Sequence, residues 1–214
     1  VLFLFYFPSF DNPPRSDYWP TFYAFQKAQR VEGEFDWLSI LNHDPWRHGT
    51  FRPLSHLILY WEYSLFGSNF FWNHILNFLC YCLSVVLLYL LAYQLRLDKF
   101  LTAAFLTVFV FLFSHFDILT WTFHFFTILS FSAFIGGFIF YLRFCKSGRY
   151  FYLLPLPFFF LFAMFSTEVH AFWPLALLLL SWKPEYFLKE KARLNPKVRF
   201  IACFSILLTV YTIY

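Results

Sequence analysis

The stretch from Phe51 to Leu95 carries two different patterns of apolar and polar positions, which predict two consecutive helices. Its second half, Ile75 to Leu95, has 21 residues, of which Asn77 and Gln94 are polar amides and none is charged. At a rise of ~1.5 Å per residue, such a helix spans the ~30 Å apolar core of a bilayer. The second half therefore predicts a membrane-spanning helix.

The first half of this stretch is more polar. Arg52, His56 and Glu62 interrupt its apolar positions, so the segment is too polar to span a membrane and is typical of a helix that lies in the membrane interface. The Gly67-Ser68-Asn69 sequence predicts the end of this helix.

Short polar breaks separate the remaining apolar stretches, including a basic turn at 143–149. Residues 1–7 resemble the end of an earlier span, and the sequence stops at Tyr214 inside another apolar run, so we expect both termini to be truncated. We predict an all-α polytopic membrane protein with about six to seven transmembrane helices in a single transmembrane domain, 1–214. Interfacial helices lie in a long outer loop, 8–74. The spans are predicted near 75–95, 100–113, 121–142, 150–165, 171–182 and 200–214.

Composition and charge support this class. The chain is 60% hydrophobic and 13% charged, against about 25% charged residues in ordinary soluble domains. The turns at 96–99, 143–149 and 183–199 hold 11 of the 16 basic residues. Basic residues accumulate on the cytoplasmic side, so we expect the long first loop outside. The net charge of +4 then reflects topology, and we expect membrane lipids rather than nucleic acid as partners.

The candidate chemistry lies on the predicted outer face. Asp11 follows the first apolar run and has the position of a general base for an acceptor hydroxyl, although an Asx-turn before the prolines is favoured by spacing alone. His115 and Asp117 lie in a polar break, where they suit a metal or phosphate-orienting site. Asp117 equally suits a helix N-cap.

Three further residues have two interpretations each. Glu168 joins two arms that are short for spans, so it lines a wet cavity or sits in a plain interfacial loop. Arg52 suits a lipid-linked phosphate or bulk headgroups. His74 shares a helix face with Asn77, and an inter-helix hydrogen bond is favoured over a substrate contact.

A series of short motifs resembles GT-C-type membrane glycosyltransferases, in particular the tetratricopeptide-bearing protein O-mannosyltransferase-like group and its bacterial relatives. The likeness extends from about residue 8 to 182. It rests on Phe51-Arg52-Pro53-Leu54, Leu65-Phe66-Gly67, His74-Ile75-Leu76-Asn77, Asp117 four residues before Trp121, and Ser166-Thr167-Glu168 followed by Pro174.

The resemblance implies an inverting transfer of a sugar from a polyprenyl-phosphate donor, in a bacterial inner membrane. Asp11 would be the base, and Arg52 would lie near the lipid phosphate. The pocket would be lined by Asp117 and Glu168, with His74 and His115 as further substrate contacts. The cofactor stays open, with a divalent metal as one alternative.

The chain also departs from this family. Phe125 and Thr127 stand where relatives often carry Arg and Asp, Tyr81 replaces a second His, and Thr167 replaces a Lys. These losses of polar groups favour an alternative hypothesis, in which the chain is a non-catalytic accessory subunit of a larger membrane assembly.

Overall fold

The computed structural model describes Tyr23, Phe25, Gln26 and residues 52–67, 69–111 and 125–166. All regular structure in these ranges is helical, which confirms the all-α part of the predicted class for the described residues. The predicted spans at 171–182 and 200–214 lie outside the described residues, as does the outer loop up to Phe51 apart from three positions. The elements are α1 (Pro53–Phe66), α2 (Phe70–Gln94), α3 (Lys99–Phe111), α4 (Phe125–Ser147), a 3₁₀ helix (Tyr150–Leu153) and α5 (Pro155–Ser166).

Two of these helices, α2 and α4, are long and apolar enough to cross a membrane. They differ in surroundings, since 72% of the most apolar window of α4 is buried within the protein, against 28% for α2. The apolar helices α3 and α5 are shorter. The outward surface of α2 is therefore apolar, as a lipid-facing helix requires.

The predicted polar helix forms as α1 and ends where the sequence indicates. Pro53 is its first residue, a position that tolerates proline because the first amide has no helical partner. Gly67 ends it at φ +57°, and its N–H donates to the Tyr63 carbonyl at 2.8 Å. The next helix, α2, begins at Phe70, ahead of the predicted Ile75.

A tight backbone turn joins α2 to α3. Arg96 adopts φ +55°, and the Leu97 N–H donates to the Ala92 carbonyl at 3.1 Å. A residue with positive φ followed by this hydrogen bond is the Schellman motif, which ends many α-helices. Asp98 Oδ1 then accepts a hydrogen bond from the Leu101 N–H at 2.8 Å and caps α3.

The prediction of a basic turn over 143–149 was wrong for most of its length. Helix α4 continues to Ser147, and Gly148 ends it at φ +70°. Basic residues are favourable in a last helical turn because the exposed carbonyls there are partly negative. Lys146 also donates from Nζ to the Gln94 carbonyl at 2.5 Å, at the end of α2.

The predicted apolar arm 150–165 is divided into two elements. A 3₁₀ helix ends at Leu153, and α5 starts at Pro155. Proline lacks the N–H that would continue the preceding turn as a regular helix, so the division lies where the sequence places this residue.

The described residues belong to two compact units. Of the described residues, unit 1 contains all those up to Leu83, together with Phe111, residues 125–130, Phe165 and Ser166. Unit 2 contains all the other described residues. The core of unit 2 is apolar and formed by α2, α4 and α5. Its largest buried side chains are Tyr141, Phe144, Phe160, Ile135, Leu156 and Met164.

One buried polar contact crosses the core of unit 2. The hydroxyl groups of Ser84 on α2 and Ser132 on α4 are hydrogen-bonded at 2.7 Å. Small polar side chains of this kind link apolar helices where no water competes for the bond.

We expect a double-mutant cycle of Ser84→Ala and Ser132→Ala to give a coupling free energy of about 0.6 kcal/mol, with about 1.7 kcal/mol as an upper bound. The measurement is reversible unfolding in detergent. Ser147→Ala is the matched control, because its exposed hydroxyl donates to Arg143 of its own helix. Coupling of Ser132 to Ser147, or strict additivity of Ser84 and Ser132, would contradict the expectation.

Candidate functional site

Unit 1 has an unusually polar interior. Its buried apolar residues among those described are Phe25, Leu59, Tyr81, Phe125, Phe126 and Ile128. Its buried polar residues are more numerous: Ser55, His56, Glu62, Asn73, His74, Asn77, Ser130 and Ser166. Burying polar groups is unfavourable unless they are hydrogen-bonded or have a function, so this interior is the candidate site.

Helix α1 directs one polar face into unit 1. Ser55, Leu59 and Glu62 are buried and follow one another at i, i+4 and i+7, the spacing of one helix face. Trp61 and Leu65 are exposed. The Ser55 hydroxyl donates to the backbone carbonyl of Ser166, at the end of α5. The face that carries Glu62 is therefore the inner face of the helix.

The first turns of α2 supply the other polar side chains. Asn73, His74 and Asn77 are fully buried, whereas Trp72 is half exposed. Asn73, Asn77 and Cys80 form an i, i+4, i+7 stripe. Within unit 1 the Glu62 carboxylate lies within electrostatic range of the Cys80 thiol.

Glu62 is the most unusual residue of the site. Its side chain is 2% exposed, and neither carboxylate oxygen accepts a hydrogen bond from any described residue. Burial disfavours the charged form, and it raises the pKa of the Glu62 carboxyl well above its usual range. The carboxyl group consequently holds its proton at a pH where a solvent-exposed glutamate is ionised.

Asn73 is similar in that it is completely buried. Among the described residues, neither its Oδ1 nor its Nδ2 has a hydrogen-bond partner. Such atoms are rare in folded proteins, and each calls for a specific explanation.

Aromatic side chains close one side of this interior. Phe25, Leu59 and Phe126 form a small buried cluster, and the Phe25 ring meets the Tyr60 ring edge-to-face at a centroid distance of 5.6 Å. Since Phe25 belongs to the predicted outer loop, at least one part of this loop packs against α1.

Two predicted site residues are described, and both belong to unit 1. Arg52 is half-buried at the N-terminus of α1, and His74 is 1% exposed. Asp11, His115, Asp117 and Glu168 lie outside the described residues, so their predicted roles remain predictions. No group of three or more His, Cys, Asp or Glu side chains that could hold a metal occurs within the described ranges.

Sequence reasoning missed Glu62 and Asn73 as site residues. In the sequence, Glu62 is one of several acids on the predicted outer face and a polar interruption that argues for an interfacial helix. Its spacing of seven residues from Ser55 was the available signal, because it places both side chains on one helix face. Asn73 lies between Trp72 and His74, and nothing local shows that it points inward.

Comparison with protein-family models, curated proteins and solved structures found no match to this chain.

Proposed function

We propose that this protein is a GT-C-like glycosyltransferase that moves a sugar from a polyprenyl-phosphate donor to an acceptor at the outer membrane face. The observation that carries the proposal is the polar interior of unit 1, in a chain whose helices are otherwise strongly apolar. Buried ionisable and amide groups are costly beside a membrane, so they are expected where a polar substrate binds.

Arg52 supports the donor half of this reaction. It is the described basic residue of unit 1 and is half-buried at the start of α1. A guanidinium group at this position suits a phosphate, because its planar fork donates two parallel hydrogen bonds. The phosphate of the lipid donor would remain there as the leaving group.

Asp11 is the proposed base. It removes the proton from the acceptor hydroxyl while the acceptor oxygen attacks the anomeric carbon from the face opposite the phosphate. The bond between the anomeric carbon and the phosphate oxygen breaks, and its electron pair leaves with the polyprenyl phosphate. Asp117, Glu168, His115 and His74 are proposed to contact the substrate around this centre.

Asp11→Asn is expected to lower transfer by about 10²–10⁴-fold, the usual contribution of a general base, with membrane insertion unchanged. The assay follows label from mannosyl-phosphoryl polyprenol into acceptors in membranes that contain the protein.

Arg52 provides a second test in the same assay. Arg52→Gln should weaken donor binding, and Arg52→Lys should restore it only in part because lysine lacks the bidentate fork. Arg149→Gln, at an exposed arginine of unit 2, is the matched control.

Full activity of Asp11→Asn would exclude the proposed mechanism.

A non-catalytic accessory subunit is the second candidate, and the surface of α3 favours it. Thr102 is the one buried residue of α3, while Phe100 is 85% exposed and Val108 64% exposed. A surface this apolar is covered by lipid or by other membrane subunits. Gentle detergent extraction and native mass measurement separate the two candidates: a fixed set of co-purifying membrane proteins favours the subunit.

A further inference from the structure

The charged residues described in unit 2 are confined to the ends of its helices. They lie at the end of α2, at the start of α3 and around the end of α4, and five of the six are basic: Arg96, Asp98, Lys99, Arg143, Lys146 and Arg149. All other described residues of unit 2 are uncharged. Its positive charge is therefore concentrated in a few short segments.

These segments lie at one end of unit 2. The Ser84 and Ser132 hydroxyls are hydrogen-bonded, and further along both helices Lys146 donates to the Gln94 carbonyl. Because the two contacts follow the same order along α2 and α4, these helices run parallel and end on the same side. The tight turn after α2 leads directly into α3, so the N-terminus of α3 lies on that side as well.

The hydrogen bond between Lys146 and Gln94 brings basic residues of different segments together. Arg143 precedes Lys146 by one helical turn, a spacing at which Cβ atoms are about 5–6 Å apart. Arg96 follows Gln94 in the turn and lies within electrostatic range of Lys146. Lys99 begins α3 directly after this turn. We call Arg96, Lys99, Arg143 and Lys146 the basic end of unit 2.

The described residues balance little of this charge. Asp98 is the one acid described in unit 2, and its Oδ1 already accepts a hydrogen bond from the Leu101 N–H. Lys99 and Arg143 are exposed, and neither forms an ion pair within the described part of the chain. The partly negative C-terminus of α4 favours Arg143, but the N-terminus of α3 is partly positive and disfavours Lys99. An external anion would offset this cost.

Exposed aromatic side chains flank the basic end. Tyr93 lies in the last turn of α2 and Phe100 in the first turn of α3, and both are exposed. Tyr150 is exposed beside the end of α4, where its ring lies 5.8 Å from the Phe144 ring. Tyrosine is enriched at the level of lipid headgroups, because its ring is apolar and its hydroxyl is polar. The surface therefore suits a partner that has both an anionic and an apolar part.

We propose that the basic end of unit 2 binds the headgroup of an anionic phospholipid. Arg143 donates parallel hydrogen bonds to the headgroup phosphate, and Lys99 contributes a point charge. Tyr93 and Phe100 contact the upper part of the acyl chains. A polyanion without acyl chains would leave these rings exposed to water, so the aromatic flank favours a lipid over a nucleic acid. This binding is independent of the transferase reaction, whose proposed residues are not in the described part of unit 2.

Thermal unfolding of the detergent-solubilised full chain tests the proposal. The chain is titrated with phosphatidylglycerol or phosphatidylcholine in mixed micelles at low ionic strength. Each basic side chain near an anionic lipid surface contributes about fivefold in affinity. Phosphatidylglycerol should therefore reach half of its Tm shift at a mole fraction at least about tenfold below that of phosphatidylcholine. Equal mole fractions for the two lipids overturn the proposal.

A charge-removing variant locates the binding surface. Lys99→Gln combined with Arg143→Gln should raise the half-shift mole fraction of phosphatidylglycerol by about 25-fold and leave that of phosphatidylcholine unchanged. Both residues are exposed, and glutamine has nearly the same helix propensity as lysine and arginine, so the fold is maintained. The matched control, Lys99→Arg combined with Arg143→Lys, keeps the charge and should respond like wild type. Wild-type affinity in the glutamine variant, or an equal loss in the control, overturns the assignment.

Asp98→Asn tests the sign of the effect. It removes the one acid described in unit 2 and keeps the helix cap, so phosphatidylglycerol should bind more tightly, by up to about fivefold. Weaker binding in this variant contradicts the proposal.

Inorganic phosphate distinguishes a lipid from a free anion. At the same ionic strength it should give a much smaller Tm shift than phosphatidylglycerol, because it has no acyl chains to contact the aromatic flank. An equal shift would assign the basic end to free phosphate and overturn the lipid assignment.

Discussion

Glu62→Gln is expected to raise the free energy of unfolding by about 1–3 kcal/mol at pH 8. The wild-type carboxyl group is buried without a hydrogen bond among the described residues. In the folded protein it has to remain protonated or carry an uncompensated charge, whereas in the unfolded chain it ionises freely. Glutamine has nearly the same shape and no charge, so it escapes this penalty.

The pH dependence follows from the direction of the pKa shift. The pKa of Glu62 is raised in the folded state by burial, while an unfolded glutamate has a pKa of about 4.3. Between these two values the folded state holds more protons than the unfolded state. The free energy of unfolding therefore falls as pH rises from about 4.3 through the folded-state pKa. Below about pH 4.3, the difference between wild type and Glu62→Gln should nearly vanish.

Asp98→Asn is the matched control, because Asp98 is exposed and asparagine caps a helix as well as aspartate does. Its effect on unfolding should be small and nearly independent of pH. Equal stability of wild type and Glu62→Gln at pH 8 would show that Glu62 has a good partner in the folded protein.

Gly137→Val is expected to lower the free energy of unfolding by about 2–3 kcal/mol, near the upper end of the range for overpacked cores. A Cβ atom on Gly137 would lie 3.1 Å from Cζ of Phe160. That ring is 1% exposed and belongs to the core of unit 2. Because it has no open space to move into, the added atoms force α4 and α5 apart.

The neighbouring glycine is the matched control for this prediction. A Cβ atom on Gly136 would meet the ring of Phe159 at 3.2 Å, and that ring is only half-buried. Phe159 can shift, and alanine in a helix gains up to about 1 kcal/mol over glycine. Gly136→Ala should therefore be neutral or stabilising, while Gly137→Ala should be destabilising. The opposite order in thermal unfolding would contradict the described packing of α4 on α5.

The two predictions reflect a difference between the two units. In unit 2 stability comes from close packing of apolar helices, including the approach of α5 to Gly136 and Gly137. In unit 1 the interior carries Glu62 and Asn73 at a cost to stability. A buried polar site with this cost is expected where a protein binds a ligand, since optimal stability and function are in conflict there.

Local sequence was sufficient for the helices and some of their ends. The run of apolar residues without charge predicted α2, and Gly67 ended α1 because glycine adopts positive φ without strain. The local sequence was insufficient at 143–149, where the basic residues predicted a turn. Those residues continue α4, and Lys146 within them donates to the Gln94 carbonyl of another helix, a contact 52 residues away along the chain.

The amino-acid sequence by itself determined that the described chain is helical and that α2 and α4 are apolar over lengths that can cross a membrane. It did so because helix formation and apolar length depend on neighbouring residues. Only the tertiary structure decided that Glu62 faces inward with Asn73, and that the polar side of α1 is its buried side. Periodicity groups residues on a helix face, but which face is covered depends on the helices that pack against it.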